Sequence, residues 1–524
     1  MNHPEESSPP WLRGILWAVP LILLGLAWTG SIRDVVLRFM PDDGFYYLST
    51  AQHLGLGLGS TSDGVTITNG YHPLWRLVLA PFAPLLQVPA LGSRVAFSLG
   101  IVMLGGAAWL AQRVVRTLQP DPGGMAGGMA AMGILGMLAL GHLYGMESPL
   151  ACLLLVGMVA LLPASPERGL SLPTPALSVG IGLISGLLVL SRLDAVVYVV
   201  ALDALWLLQL VRLRSREGWR GFLLAVALQG LMVGGYLLVN WMVFGHPLTV
   251  SARIKTARQP GLNLDWLKST YAILAVLSTA LTAGLALKLG RKVLERPLAL
   301  PVLMVGQGLH LLGLALKGTF ETYNWYFALP LAAGMLLLPV VDRELLDARR
   351  LPGGLRVGWL VVALCTLVNV QGRLLRPSAF LEQYERGVWM AQHAPSEAIF
   401  AEPDSGILNY FAQRPVINTD GLSSSFDLQE AIRDDQLVPW LQRVGVSHLV
   451  LAKAYKLEVW PDGTAQEGLV VRKGMTGHER FVRARIRPEP DVTPEAPYRL
   501  WKIEGLEPSP VPVPNGVRYR KVWQ

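Results

Sequence analysis

MPDDGFYYLSTAQHLGLGLGSTSDGVTITNGYHPLW, residues 40–75, is a polar, glycine-bearing stretch set directly after the first apolar run of the chain. It holds the acids Asp42, Asp43 and Asp63, with tyrosines and histidines among them. The surroundings have the opposite character. Of the 524 residues, 52% are hydrophobic and only 16% charged, against about 25% charged in a soluble protein. The deficit comes from long apolar runs, so the chain reads as a polytopic membrane protein. A first external loop that carries paired acids, aromatics and glycine turns points to chemistry at the membrane surface.

Eleven apolar runs approach the ~20 residues a helix needs to cross a bilayer. They are 14–30, 91–111, 125–143, 148–163, 175–191, 195–211, 221–244, 269–287, 298–316, 325–341 and 357–371. The first reads as a retained signal-anchor, because it is long for a signal core and no small-residue cleavage site closes it. Residues 74–87 are apolar but broken by Pro81 and Pro84, and read as a helix at the interface. With the N-terminus in the cytoplasm, fifteen basic residues, Arg113, Arg116, Arg212 and Arg216 among them, fall in inner loops. Five fall in short outer loops: Arg192, Arg253, Lys255, Arg258 and Lys317. That is the positive-inside bias. It accounts for the net charge of +8 without a basic stripe for nucleic acid. Cys152 and Cys365 both lie inside apolar runs, which implies neither a disulfide framework nor a zinc-ligand spacing.

Residues 1–371 are therefore expected to form a transmembrane domain of about eleven helices, with 31–90 as its first external loop. Residues 372–524 are richer in proline and charge and are expected outside the membrane. Helices at 380–393 and 437–444 alternate there with strands at 398–401, 415–418 and 447–452, the pattern of a small α/β domain.

The paired acids carry the functional reading. One Asp can cap a helix that begins at Gly44. A second can take a proton from an incoming hydroxyl, or hold a divalent cation beside a phosphate leaving group. Asp43 lies nearer the helix start, which favours the cap for Asp43 and the base for Asp42, with the reverse assignment open. In residues 68–73, TNGYHP, a turn followed by a helix start explains Asn69, Gly70 and Pro73. Tyr71, His72 and Trp75 remain for hydrogen bonding or for the aromatic belt.

Glu147 has nothing basic beside it in sequence, and an uncompensated acid at a membrane boundary is a functional candidate. Arg192 and Asp194, two residues apart, are expected to neutralise each other in an outer turn, and Asp203 to line the bundle interior. Arg253, Lys255 and Arg258 form an external basic cluster suited to phosphate, or to anionic head groups. Tyr323 and Tyr326, near Lys317, suit a lipid-borne sugar or the belt.

At these residues the chain resembles the GT-C superfamily of integral-membrane glycosyltransferases, which use polyprenyl-phosphate sugars. Protein O-mannosyltransferases, lipid A aminoarabinose transferases and arabinofuranosyltransferases belong to it. The resemblance rests on Asp42-Asp43 with Tyr46-Tyr47-Leu48, on residues 68–75, on Glu147, on residues 247–255, and on Asp404-x-Gly406 with Asp420-Gly421-Leu422. It implies Asp42 or Asp43 as catalytic base, Glu147 as second acid, and Lys255 or Arg253 on the lipid phosphate. Tyr46, Tyr47, Asn69, Tyr71, His72, Tyr323 and Tyr326 are the expected lining. A divalent ion (Mg, Mn or Ca) is a candidate cofactor, with Asp43, Glu147 and His72 as its ligands.

The reading is thus of an inverting transferase in a bacterial inner membrane, with its C-terminal domain periplasmic. It would pass one sugar from a polyprenyl-phosphate donor to a glycan, lipid or protein hydroxyl. Two rivals remain. A flippase for lipid-linked sugars would place its polar residues mid-membrane, and a non-catalytic assembly subunit would use the C-terminal domain to recruit glycans.

Overall fold

The computed structural model describes residues 10–118, 125–136, 144–163, 173–256, 261–262, 264–316, 322–345, 380–452, 461–462, 464–471, 480–490 and 496–509. The chain begins with α1 (Pro10–Thr29), α2 (Ile32–Phe39) and α3 (Asp42–Gly55). A loop leads to α4 (Pro73–Leu79) and α5 (Ala83–Leu86). The main bundle follows: α6 (Pro89–Leu118), α7 (Met125–Ile134), α8 (Ser148–Ala160), α9 (Pro175–Ser191), α10 (Val196–Leu213) and α11 (Arg216–Phe244). After the short α12 (Val250–Thr256) come α13 (Thr270–Leu289), α14 (Ala299–Ala315) and α15 (Ala328–Glu344).

Among the described residues, six helices are long and apolar enough to cross a membrane: Pro10–Thr29, Pro89–Leu118, Leu193–Leu213, Arg216–Phe244, Thr270–Glu295 and Asn324–Glu344. Four apolar helices are shorter: Pro73–Leu86, Ser148–Ala160, Pro175–Ser191 and Ala299–Ala315. The runs at 148–163, 175–191 and 298–316, expected to span or nearly span, give helices of 13 to 17 residues. The expected span at 357–371 and the boundary at 371/372 lie outside the described residues. The 74–87 segment breaks as its prolines predict, with a 3-10 turn at Ala80–Phe82 between its two helical pieces.

Helix ends follow local chemistry. Thr174, Ser215 and Ser425 each accept a hydrogen bond from the backbone N–H three residues on, satisfying a donor that the first turn leaves without a partner. Pro175 and Pro73 occupy first-turn positions where no N–H is needed. Gly245 ends α11 with φ +71°, a left-handed conformation that glycine adopts without a Cβ penalty. The bundle is centred on α15, buried continuously from Ala328 to Asp342. A helix apolar on every face from Ala328 to Val341 suits that position, since no face of that stretch meets water. By contrast α11 buries only Gly218, Gly221, Ala225, Gln229 and Asn240, and its apolar surface faces outward.

The C-terminal region contains α16 (Leu381–His393), α17 (Gly406–Ala412), α18 (Phe426–Arg433) and α19 (Leu437–Arg443). Strands β1 (Phe400–Glu402) and β2 (Val416–Asn418) pair in parallel. Strands β3 (His448–Ala452), β4 (Ala465–Val471), β5 (Arg480–Pro488) and β6 (Tyr498–Ser509) form an antiparallel sheet in the order β3-β6-β5-β4. Its apolar residues build cores of their own around Leu428, Trp440, Val482 and Trp501, and around Met390 and Phe400. Ile407, Tyr410 and Phe411 of α17 instead join the main core of the bundle. This region therefore docks on the bundle through α17.

Candidate active site

Pro41 leads into α3, and the helix places Asp42 and Asp43 in its first turn. The two carboxylates then diverge. Asp42 is 5% exposed, and its oxygens accept backbone N–H bonds from Gly406 (3.0 Å) and Ile407 (2.7 Å). It serves as the N-terminal cap of α17, a helix more than 360 residues further along the chain. Burial pushes its carboxyl well above the usual range, opposed by the Ile407 and Gly406 N–H groups. The cap expected of Asp43 falls to Asp42 instead, and on a different helix.

Asp43 is only partly buried. Burial first, then the Asp420 carboxylate, pushes it up to about 7, while Lys255 pulls the other way and Asp404 and Glu147 add to the rise. Asp43 thus feels four charged groups drawn from three separate parts of the chain.

Two of them, Asp404 and Asp420, come from the C-terminal region, and sequence reading left them out of the expected site. Their signal was present in the D-x-G and D-G-L pattern, but nothing local tied it to the first loop. Asp404 sits at φ +48°, a left-handed conformation in which Asp is among the few tolerated residues. Its N–H donates to Asp420 Oδ2 at 3.2 Å. Asn418 at the end of β2 holds the next turn, accepting from Gly421 N–H at 2.9 Å and donating to the Tyr46 hydroxyl at 2.5 Å. Tyr46 also accepts from Ser405 N–H at 2.8 Å. It is therefore a buried strut between α3 and the C-terminal region.

Glu147, 1% exposed, is not an uncompensated acid. Its Oε1 accepts from Arg192 Nη1 at 2.8 Å, and Arg192 also grips Asp194 with two hydrogen bonds of 3.1 and 2.7 Å. The Arg192–Asp194 pair forms as the sequence suggested, but the packing of α8 against α9 brings Glu147 to the same guanidinium. Arg192 Nη1 further donates to Ser148 Oγ and to the Trp325 carbonyl. His72 Nδ1 accepts from Leu193 N–H at 3.2 Å, which leaves the proton on Nε2, 3.9 Å from Glu147 Oε1. Burial lowers His72 to about 4 despite the pull of Glu147, so the ring is neutral. The Tyr47 hydroxyl accepts from His72 N–H at 3.2 Å. Asp43, Glu147 and His72 do not make the expected metal-ligand set: Arg192 occupies Glu147, and His72 Nδ1 is already an acceptor. Among the described residues, no group of three or more His, Cys, Asp or Glu is placed to hold a metal ion.

Lys255 comes to the same group of charges from α12. Its Nζ donates to the Tyr326 hydroxyl at 2.6 Å. Burial works against its charge, but Tyr326, Asp43 and Asp194 outweigh it and hold the ammonium above its ordinary value. Asn69 positions this helix, since its Oδ1 accepts from Val250 N–H at 2.9 Å at the start of α12. The TNG turn thus fixes the lysine.

The other expected site residues make contacts of their own. Arg253 lies against the His246 ring and over Phe426. Tyr71 bonds Ser60 and Arg76. Tyr323 stacks on Trp325 at 4.7 Å and is 37% exposed. Trp75 is fully buried and donates to the Gly145 carbonyl at 2.7 Å, so it is no belt anchor. Arg258 lies outside the described residues.

A family model described as a domain of unknown function (DUF8728) matches residues 376–491. No curated protein matches the chain. Among solved structures, the chain is similar to ArnT from Cupriavidus metallidurans bound to undecaprenyl phosphate: 13% identity, 91% of this chain and 98% of that one covered, TM-score 0.53. The apo state of the same protein gives 13% identity, 90% and 98% coverage, and a TM-score of 0.52. The chain has the GT-C fold. A third neighbour, the Archaeoglobus fulgidus oligosaccharyltransferase in complex with Zn and sulfate, gives 12% identity, 84% and 68% coverage, and a TM-score of 0.51. At such identities the likeness is one of fold. It extends over both the helical bundle and the C-terminal region.

Proposed function

We propose that the protein is a membrane glycosyltransferase that passes a sugar from a polyprenyl-phosphate carrier to a hydroxyl acceptor. The observation that carries this reading is the pairing of Asp43, poised at about 7, with Lys255 across one chamber of a GT-C fold. A general base works best when its pKa lies near the operating pH. Asp43 takes the proton of the acceptor hydroxyl as that oxygen attacks the anomeric carbon. The bond from that carbon to the phosphate oxygen breaks, and its electron pair leaves on the carrier phosphate. One displacement inverts the anomeric centre. Lys255, aligned by Tyr326, meets the negative charge that develops on the phosphate, a role for a point cation. The Glu147–Arg192–Asp194 triad holds the wall behind them.

In this reading residues 1–371 are the catalytic bundle, and residues 372–524 close the chamber with Asp404 and Asp420. The charge bias supports a chamber facing away from the cytoplasm in a bacterial inner membrane, where sugar nucleotides are absent and a lipid donor is required. The neighbour solved with undecaprenyl phosphate supports that donor class. The test incubates the purified full chain with lipid-linked sugars extracted from bacterial membranes and measures undecaprenyl phosphate by mass spectrometry. Release that depends on Asp43 supports the reading, and a folded protein that releases none from any donor overturns it.

A further inference from the structure

A cavity lies away from the acids. It is a groove of about 870 Å³ between α1 and α6, with Arg13, Arg113 and Arg116 at one end and Trp17, Pro20 and Trp109 along its walls. The two helices are pinned together at the opposite end, where Trp28 Nε1 donates to Ser98 Oγ at 3.0 Å and Arg94 to the Gly30 carbonyl at 3.0 Å. Between these ends Pro20 interrupts the hydrogen bonding inside α1, and Gly105 and Gly106 leave the facing wall of α6 without side chains. The volume is at the upper end of the ~300–1,000 Å³ of ordinary ligand pockets.

The walls are apolar and open outward, with Trp17 66% and Trp109 61% exposed. Neither α1 nor α6 carries an Asp or Glu. The three arginines therefore form a cationic rim with no carboxylate on either helix to neutralise it, above a slot that suits hydrocarbon.

We propose that this groove binds one anionic phospholipid, its acyl chains along Trp17, Gly105 and Trp109 and its phosphate on Arg13, Arg113 and Arg116. Apolar slots with basic rims between membrane helices are where such head groups bind. The occupant is distinct from the sugar carrier. Gly100 of α6 lies under the Tyr144 ring beside the acid-bearing loop. From there to Arg116 the helix rises about 24 Å at 1.5 Å per residue. A phosphate at the arginines belongs to the leaflet opposite the chamber and cannot be the one that Lys255 meets.

The test is native mass spectrometry of the detergent-purified full chain with added phosphatidylglycerol or phosphatidylcholine of the same acyl chains. The wild type should retain phosphatidylglycerol preferentially. Each Arg→Gln change at 13, 113 or 116 should weaken that retention about fivefold. Gly105→Leu, which fills the slot and leaves the arginines, should also weaken it. Arg212→Gln with Arg216→Gln, on another turn of the bundle, should leave it unchanged. Equal retention of both lipids by the wild type overturns the proposal. So does an equal loss in the Arg212/Arg216 variant, because surface charge alone would then explain the effect. Lipid release from the donor is measured alongside, so loss of phospholipid selectivity with transfer intact separates this site from the proposed activity.

Discussion

Asp42 and Asp43 are neighbours in sequence and belong to two regions built on opposite principles. The Asp42 side is a seam in which the first loop and the C-terminal region satisfy each other. Asp42 takes two N–H groups of α17, Thr68 donates to the Ser424 carbonyl at 2.7 Å, and Asn409 donates to the Ser62 carbonyl at 2.7 Å. The Asp43 side is a chamber in which like charges are gathered with one lysine and left partly open to solvent. Dense hydrogen bonding fixes a position, whereas unbalanced charge next to an opening shifts a pKa. Perturbed groups of that kind cluster where proteins do chemistry.

The largest expected effect tests the chamber. Asp43→Asn removes the titrating group and should lower transfer by about 10²–10⁴ while the protein still folds and binds carrier, read by a turnover assay and thermal unfolding. Arg192→Ala strands the buried Glu147 and should cost about 3–5 kcal/mol in a denaturant titration, whatever the fate of Asp43. Lys255→Ala should raise KM for the lipid donor about 10- to 100-fold, the worth of a charged hydrogen bond, with a smaller change in turnover.

A pH series sharpens the contrast. The carboxylate of Asp43 is the active form, so kcat/KM should rise as pH increases and reach half its plateau near 7, the value to which burial and Asp420 raise it. Because the folded pKa is raised, the folded state binds more protons than the unfolded one between about 4 and 7. Stability from this group therefore falls as pH climbs through that window. Asp43→Asn should melt higher than wild type at pH 8 and lose that advantage at pH 4. The smallest effect belongs to the seam. Asp42→Asn keeps an acceptor for the α17 N–H groups and should cost only a few tenths of a kcal/mol in a cap, with most transfer retained. A collapse of transfer there with an active Asp43→Asn would exchange the roles of the two acids.

How much of this was legible in the chain divides along the same line. Apolar runs located the helices from 14–30 to 325–341, because burial in lipid or bundle leaves a signal in every local window. The strand–helix alternation after residue 380 gave β1, β2 and β3, but not the antiparallel strands β4 to β6, where charged residues interrupt the apolar ones, most densely in the arginine-rich β5. The first-loop acids stood out through residue type alone. What they contact did not. Glu147 meets Arg192 across 45 positions, and Asn69 meets Val250 across 181. Such pairings are set by helix packing, which no single window contains. Lys255 was recognised as a cation near the site, yet the reason it points inward while Arg253 turns to His246 lies in the placement of α12 by Asn69.

Gly70 lies so close to the Leu422 carbonyl that a Cβ there would overlap it, and this contact has a bearing on biosynthesis. A ribosome that has released residue 70 must add about 350 more before Leu422 exists, which at ~5–20 residues per second is roughly 20–70 s. Through that interval Ser62, Thr68 and Asp42 lack the carbonyl and N–H groups they will meet. The chamber therefore matures late and all at once. A chain cut short before α17 would insert its helices and still own no working site. In the proposed reading, a nascent chain of this design stays inert in the membrane until its last domain has been translated.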